Sequence, residues 1–415
     1  MLVIGPRRAL IDHLRTRGIA FSVWREHASF AIADAQQVLT APLWNTTEKL
    51  KRTITEAFGD THYSHVIAGT EGAVYPAALA RRLLGARLST ATTALRCRDK
   101  LAMKEYLAEF DIPMTAFMAE SSARSATEVF ARLGTPVVRK RRKSSGGRDL
   151  SFVHREQDLV LQKDSRNILE RFVSAPEASI ESYLNGGEIR FVNTTRYVEK
   201  RHVNFVPADF DEGTLTAMLE LNRRVLKALK INWGITHLEV YLTEAGLLFG
   251  EIALRPPGGY IMNAMRHAYG FDPWAAFVAM ELNEPFAFTQ APSGYACVEV
   301  LHPGCGLVTA VRGEQVRAHP AMREFHLKVG PGDVIGERQG AGRTSATCCT
   351  SVPPRRHDWH CWMSSATACR SRCKKTVCEA VKSADWKCLV ILSRTDSRAA
   401  TPASIAVRES RGCAG

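Results

Sequence analysis

Residues 237–252, HLEVYLTEAGLLFGEI, read as two short strands joined at a turn, and their pairing decides what kind of sheet and site the chain can build. A three-residue loop of Glu244, Ala245 and Gly246, with Gly246 in the left-handed position such loops favour, pairs Thr243 with Leu247. Counting outward, Tyr241 opposes Phe249, Glu239 opposes Glu251 and His237 opposes Ala253, all on one face because side chains alternate along a strand. Leu238, Val240, Leu242, Leu248 and Ile252 occupy the other face, the expected core face. Two ionised carboxylates held opposite each other, with β-carbons roughly 5 Å apart, repel unless a proton or a cation lies between them. A pair of hard oxygen donors suits Mg²⁺, which completes its shell with water and nucleotide phosphates. Two glutamates on a solvated sheet face are the plain alternative.

The sequence around the hairpin supplies context. The chain has 415 residues, enough for two to four domains, and its 45% hydrophobic and 23% charged composition is that of a globular enzyme. No apolar run approaches a membrane span, and MLVIGPRRALIDHL lacks a signal-peptide core, so the expectation is a cytoplasmic protein with no membrane partner. Over the first 95 residues LVIG, IAFSVW and SHVIAG alternate with RRALIDHLRTRG and AVYPAALARRLLG, a βαβ pattern that predicts a small doubly wound parallel sheet. GTEG at 69–72 reads as a turn or as an anion cradle.

From Arg96 the pattern changes. RDKLAMKEYLAEF (98–110) is a helix with Asp99 as N-cap and Met103, Tyr106, Leu107 and Phe110 on one apolar face. Lys100 falls in its first turn, where the helix dipole disfavours a cation unless an anion is near. TPVVRKRRKSSGGRDLSFV (135–153) places a loop rich in Lys, Arg, Ser and Gly between two strand-like runs. It reads as a phosphate cover, as a solvated basic loop, or, from RKRRK alone, as a nucleic-acid patch. Asn185, Gly186 and Gly187 mark a second hairpin between SIESYL and EIRFVNT, and LERFV (169–173) leaves its strand through SAPE, where exposed backbone groups can meet a planar heterocycle. LTAMLELNRRVLKALK (215–230) is helical. Arg255 lies four residues beyond Glu251, on the same side of a continuing strand.

This ordering resembles the ATP-grasp superfamily, and within it the carboxylate–amine ligases that join amino acids. The resemblance covers about residues 1–342 and is carried chiefly by HLEVYLTEAGLLFGEIALRPPGG and PVVRKRRKSSGGRD. It implies an α/β (α+β) fold in which a small doubly wound domain, 1–95, precedes two α+β subdomains that sandwich ATP: a small subdomain or lid, 96–172, and a large subdomain with its extension, 173–342. It also implies that Lys100 and Lys140 contact ATP phosphates and that Ser145, Gly146 and Gly147 close over them. Glu170 and Val173 would meet the adenine edge, Glu177 the ribose, and Glu239 and Glu251 Mg²⁺, with Mn²⁺ as an alternative ion. Arg255 would steady an acyl phosphate and the tetrahedral intermediate. Many relatives carry Asn two positions after the second glutamate; this chain has Ala253, which leaves open whether one or two ions bind. Arg266 and His267, in GGYIMNAMRHAYGFDPW, are weaker candidates for the substrate site, and His202 in EKRHVNFVPADF a weaker one still.

The implied reaction is ATP-dependent joining of a small-molecule carboxylate and an amine, amino acids being the expected class, with ADP and phosphate released. The alternatives are an ATP-binding protein of the same fold without turnover and a nucleic-acid or zinc-binding protein. Nucleic acid is not an expected partner, and a homodimer is one open assembly. The last 73 residues stand apart. Arg343–Gly415 holds 13 Lys/Arg against 5 Asp/Glu, +8 of the net +13, and 8 of the 11 cysteines, without a Cys-x-x-Cys knuckle. Cys, Ser, Arg and Trp rise together there while apolar periodicity stops, so 343–415 is expected to be a disordered or out-of-frame tail.

Overall fold

In the computed structural model of the chain, β1 (Leu2–Ile4), β2 (Ser22–Arg25), β3 (Val38–Thr40) and β4 (Val66–Ala68) form a parallel sheet in the order β3-β2-β1-β4. Helices α1 (Arg8–Thr16), α2 (Thr47–Phe58) and α3 (Val74–Leu83) connect or follow these strands, and Leu2, Ile4, Trp24, Ile54, Phe58, Val66 and Ala77 pack into one core. The expected βαβ sheet is present, with β3 and α2 as elements that the strand-like runs did not announce. The structure describes residues 1–86, 91–147, 149–199, 203–302, 305–311, 317–318, 320–336, 346–352 and 390–393. These divide into two units, one of Met1–Tyr197, Ala208–Gly258 and Phe271–Gln290, the other of Val198–Pro207, Gly259–Gly270 and the residues from Ala291 onward.

The first unit continues through α4 (Ala91–Arg98) and α5 (Lys100–Ala108). Asp99 caps α5 as its position predicts, accepting from the N–H groups of Leu101 and Ala102. The buried face differs from the expected one: Phe110 is 42% exposed, whereas Lys104 is buried beside Leu101, Met103 and Leu107. Strands β5 (Phe117–Ala119), β6 (Val137–Arg141), β7 (Leu150–Val153) and β8 (Asn167–Arg171) form an antiparallel sheet ordered β5-β8-β6-β7, backed by α6 (Ala126–Leu133). Strands β9 (Glu177–Asn185) and β10 (Glu188–Glu199) meet at Gly186 and Gly187, both at positive φ, as the Asn-Gly-Gly signal predicts. β11 (Val203–Val206) belongs to the second unit. Helix α7 (Glu212–Ala228) precedes β12 (Gly234–Thr243) and β13 (Gly246–Ala253), and the order in this unit is β13-β12-β9-β10. Leu238, Val240, Phe249 and Ile252 pack with Met218, Val225 and Leu226 of α7 and with Met103 and Leu107 of α5.

The β12–β13 hairpin pairs Glu239 with Glu251 and His237 with Ala253, as expected, but by another route. The turn has two residues, Glu244 and Ala245, so that Thr243 faces Gly246 and Val240 faces Phe249. A bulge next to Glu239, which leaves Gly250 as the extra residue, restores the register. The shift moves Phe249 into the core, where it is fully buried, and leaves Leu248 only half-buried. A β-carbon on Gly250 would lie 2.9 Å from the carbonyl oxygen of Glu239. Gly250→Ala is therefore expected to cost about 1–3 kcal/mol by forcing the two strands apart, measurable as a lower midpoint in denaturant.

Helix α8 (Ile261–Tyr269) lies in the second unit and α9 (Pro273–Leu282) in the first. Arg81 of α3 bonds Glu281 of α9 at 3.1 Å, donates to Val66 O at 2.8 Å and stacks 4.4 Å from the Trp233 ring. Burial holds the Glu281 carboxyl up at about 7 even though Arg81 draws it down. A carboxyl raised in the folded state contributes stability below its unfolded value of 4.5 that is lost as pH rises through about 7. In melts from about pH 5 to about pH 8, the Tm of the parent should fall relative to that of Glu281→Gln, which has no proton to lose there.

In the second unit β11, β14 (Tyr295–Leu301), β18 (Ala346–Val352) and β16 (Met322–Leu327) are neighbours in that order. β15 (Gly306–Val311) pairs with β17 (Val334–Ile335) and β19 (Val390–Ser393). The expectation of a patternless segment beyond 342 is corrected here, because Ala346–Val352 pairs along its whole length with β14 and along most of it with β16. Most of 353–415 lies outside the described residues, as does His202.

Candidate functional site

Lys100 opens α5, and its Nζ lies 3.0 Å from Glu251 Oε2 and donates to Ser144 O at 3.0 Å. The anion that a first-turn cation requires is thus the β13 carboxylate. Glu251 feels burial, which raises its pKa, yet Lys100 and Lys140 outweigh it and hold the carboxyl down at about 2. Glu239 stands opposite on β12, its side chain 32% exposed against 29% for Glu251, so both retain solvent access.

A second charged group lies beside the first. Glu170, at the end of β8 and 2% exposed, takes Lys140 Nζ of β6 at 2.9 Å and Lys104 Nζ of α5 at 3.3 Å on the same oxygen. Its other oxygen, Oε1, is buried without a hydrogen-bond partner among the described residues. Burial drives the Lys104 amine down to about 8 against the pull of Glu170, whereas for Lys140 the carboxylate wins and the pKa rises. Beyond Arg171, whose N–H bonds Ala116 O at 2.9 Å, residues 172–175 leave the strand. Val173 sits in this connector and Glu177 opens β9, paired in register with Tyr241.

The loop between β6 and β7 is anchored at its start and open at its tip. Arg142 donates to both oxygens of Asp99 at 2.8 Å, and its carbonyl accepts from Lys100 N at 2.9 Å. Ser145 is half-buried, whereas Gly146 and Gly147 are exposed and both hold positive φ, a conformation that suits glycine.

Arg255 donates through Nε to Glu71 Oε2 at 2.7 Å and through Nη1 to Pro256 O at 2.8 Å. Arg98 reaches the other oxygen of Glu71 and stacks 4.4 Å from the Trp44 ring, while its Nη2 is buried without a partner among the described residues. Burial pushes the Glu71 carboxyl up, but the two guanidiniums with Lys100 pull it lower still. Glu71 and Arg98 escaped the reading of the sequence. GTEG drew attention only as a turn or cradle, and nothing local ties Glu71 to an arginine 184 residues away.

The structure therefore brings Lys100 and Glu251 together, faces Glu239 to Glu251, and joins Lys140 to Glu170. Arg266 and His267 belong to the second unit. There Arg266 is exposed, and His267 bonds Glu324, which also accepts from Asn263 and contacts His326.

The donor set fits a nucleotide-dependent Mg²⁺. Glu239 and Glu251 offer hard carboxylate oxygens, Ala253 offers none, and no group of three or more His, Cys, Asp or Glu among the described residues is arranged to hold an ion. Two carboxylates bind Mg²⁺ when water and phosphate oxygens complete the octahedron.

Comparisons with known proteins find similar sequences and similar folds. The ATP-grasp domain model matches residues 105–266. The chain is 25% identical over 303 residues to an L-arginine-specific L-amino acid ligase of Bacillus subtilis, covering 67% of this chain and 73% of that one. Its fold is similar to that of an L-amino acid ligase from Bacillus licheniformis, with a TM-score of 0.71 at 17% identity over 85% of this chain and 93% of the other. It is also similar to an N5-carboxyaminoimidazole synthetase from Staphylococcus aureus complexed with ADP, with a TM-score of 0.65 at 13% identity over 85% and 92%. The match over 105–266 and the similar fold lead to one assignment: residues 105–266 of the chain form an ATP-grasp domain.

Proposed function

We propose that the chain is an ATP-dependent carboxylate–amine ligase that forms an amide or peptide bond between small molecules, amino acids being the expected class, through an acyl phosphate. The observation that carries this reading is the facing pair Glu239 and Glu251 with Lys100 at 3.0 Å from one of them. A carboxylate is a poor acyl donor because oxide would have to leave. Attack of its oxygen on the γ-phosphate of ATP expels ADP, and attack of the amine on the resulting acyl phosphate expels inorganic phosphate.

The obstacle in the first step is charge, since nucleophile and triphosphate are both anionic. Lys100 and Lys140 hold phosphate oxygens in this reading, and the loop with Ser145, Gly146 and Gly147 covers them and excludes water. Glu170 keeps Lys140 in place and, with the backbone of Val173, meets the adenine edge; Glu177 takes the ribose hydroxyls. Arg255, steadied by Glu71, faces the negative charge that develops at the carbonyl oxygen. Glu239 and Glu251 would hold Mg²⁺, which when bound neutralises the phosphates and polarises the γ-phosphoryl group. Arg266 and His267 remain substrate candidates, and the boundaries at 95 and 172, a cytoplasmic location and a homodimer belong to the same proposal.

The test is a screen of amino-acid pairs for ADP and phosphate release. Turnover that requires both a carboxylate and an amine supports ligation, whereas ADP release that ignores them contradicts it. Ala253 favours a second reading, an ATP-binding protein without turnover, since the second carboxylate has no amide neighbour to complete a two-ion site. That reading expects nucleotide binding with no ADP release for any pair.

A further inference from the structure

The sheet face that carries Glu239 and Glu251 holds a second row of polar groups directly behind them. The registers of β10, β9, β12 and β13 place Thr195, Ser179, Glu239 and Glu251 side by side in one row and Asn193, Glu181, His237 and Ala253 in the next. Rows two residues apart on adjacent strands share a face. The second row is almost dry: Glu181 is 0% exposed, Asn193 1% and His237 5%.

Glu181 is bonded on both oxygens. Ser179 Oγ donates to Oε1 at 2.6 Å and His237 Nδ1 lies 2.9 Å from the same atom, while Asn193 Nδ2 at 2.6 Å and Thr195 Oγ1 at 2.8 Å donate to Oε2. Four neighbours fix this carboxylate in one rotamer. A ring nitrogen facing a carboxylate carries its proton there, so Glu181 also sets the orientation of the imidazole. The opposite nitrogen, Nε2, lies 3.3 Å from Glu239 Oε1 and 3.4 Å from Tyr197 Oη. The chain of contacts runs from a locked acid through an oriented ring to one oxygen of Glu239.

We propose that Glu181 and His237 are positioning residues that fix the carboxylate of Glu239, committing one of its oxygens to the imidazole and presenting the other to a divalent ion across from Glu251. This rests on the metal role given to Glu239 and Glu251 above. Glu239 needs such support more than Glu251 does, because Glu251 is held by Lys100 whereas Glu239 has no lysine or arginine partner among its described ion pairs. A carboxylate on a partly exposed strand otherwise samples several rotamers and loses that freedom on binding the ion. Groups that orient a metal ligand typically change metal affinity about 10- to 100-fold when removed.

The experiment measures Mn²⁺ affinity by electron paramagnetic resonance on the full chain with a non-hydrolysable ATP analogue. In parallel, affinity for the same analogue is measured in EDTA. Glu181→Gln, which keeps the shape of the side chain and does not touch Glu239, should weaken Mn²⁺ binding about 10- to 100-fold and leave the affinity in EDTA unchanged. A purely structural role for Glu181 would leave Mn²⁺ affinity alone or shift both affinities together, and either result overturns the proposal. If Glu181→Gln does not fold, Thr195→Val removes a single hydrogen bond to Glu181 and should weaken Mn²⁺ roughly fivefold, with parental affinity as the contrary result. Glu239→Gln separates the two levels of the argument. Loss of Mn²⁺ there with none in Glu181→Gln removes the positioning role only, whereas unchanged Mn²⁺ in Glu239→Gln removes the metal site itself.

Discussion

Glu251→Gln is expected to lower kcat by about 10²- to 10³-fold, the scale on which one preorganised electrostatic contact to a developing charge acts. Its effect on metal-free nucleotide binding should be small or even favourable. The same change that removes a negative oxygen from the proposed ion site also releases Lys100 Nζ, now 3.0 Å from that carboxylate, to pair with a phosphate. A drop in kcat with undiminished affinity for ATP in EDTA separates loss of the ion from loss of the nucleotide site. Full turnover in a folded Glu251→Gln would remove the metal role. The pH behaviour adds a second check. The carboxyl sits at about 2 instead of 4.5, so it stays ionised through mild acid, and the stability it contributes above about pH 4.5 is lost only as pH falls through about 2. Activity that fails near pH 5 must therefore be traced to another group.

The pairing of Glu239 with Glu251 was legible in HLEVYLTEAGLLFGEI, but the route to it was not. A three-residue loop without a bulge and a two-residue turn with a bulge at Gly250 give the same partners at Glu239 and differ only nearer the turn. Side-chain alternation could not distinguish them, because Phe249 and Leu248 are both apolar and either fills a core position. The cap at Asp99 and the Asn-Gly-Gly hairpin were readable because each depends on neighbours a few residues away. Lys104 was not, since its burial depends on Glu170, brought to it by β8 from 66 residues downstream. The strand at Ala346–Val352 went unseen for a related reason. Its Thr, Cys and Ser residues carry little hydrophobic alternation, and its place between β14 and β16 is decided by those partners.

Glu71 is where long-range pairing has the largest energetic consequence. Its carboxylate lies between Arg98, with a side chain 4% exposed, and Arg255, 13% exposed. Glu71→Ala would leave two desolvated guanidiniums with their charges uncompensated, and breaking a buried pair from one side typically costs about 3–5 kcal/mol. A lower Tm is the expected result, and a second substitution shows where it comes from. Arg98→Met in the Glu71→Ala background removes one stranded charge and replaces it with apolar volume beside Trp44, so stability should largely return. Turnover should not. Arg255 would still have lost the 2.7 Å bond that holds its Nε, and in the role proposed for it, facing the reacting carbonyl, a displacement of about 1 Å is enough to lower the rate about 10²-fold. Recovery of both Tm and kcat in the double variant would mean that Glu71 serves the fold alone and that Arg255 needs no holder.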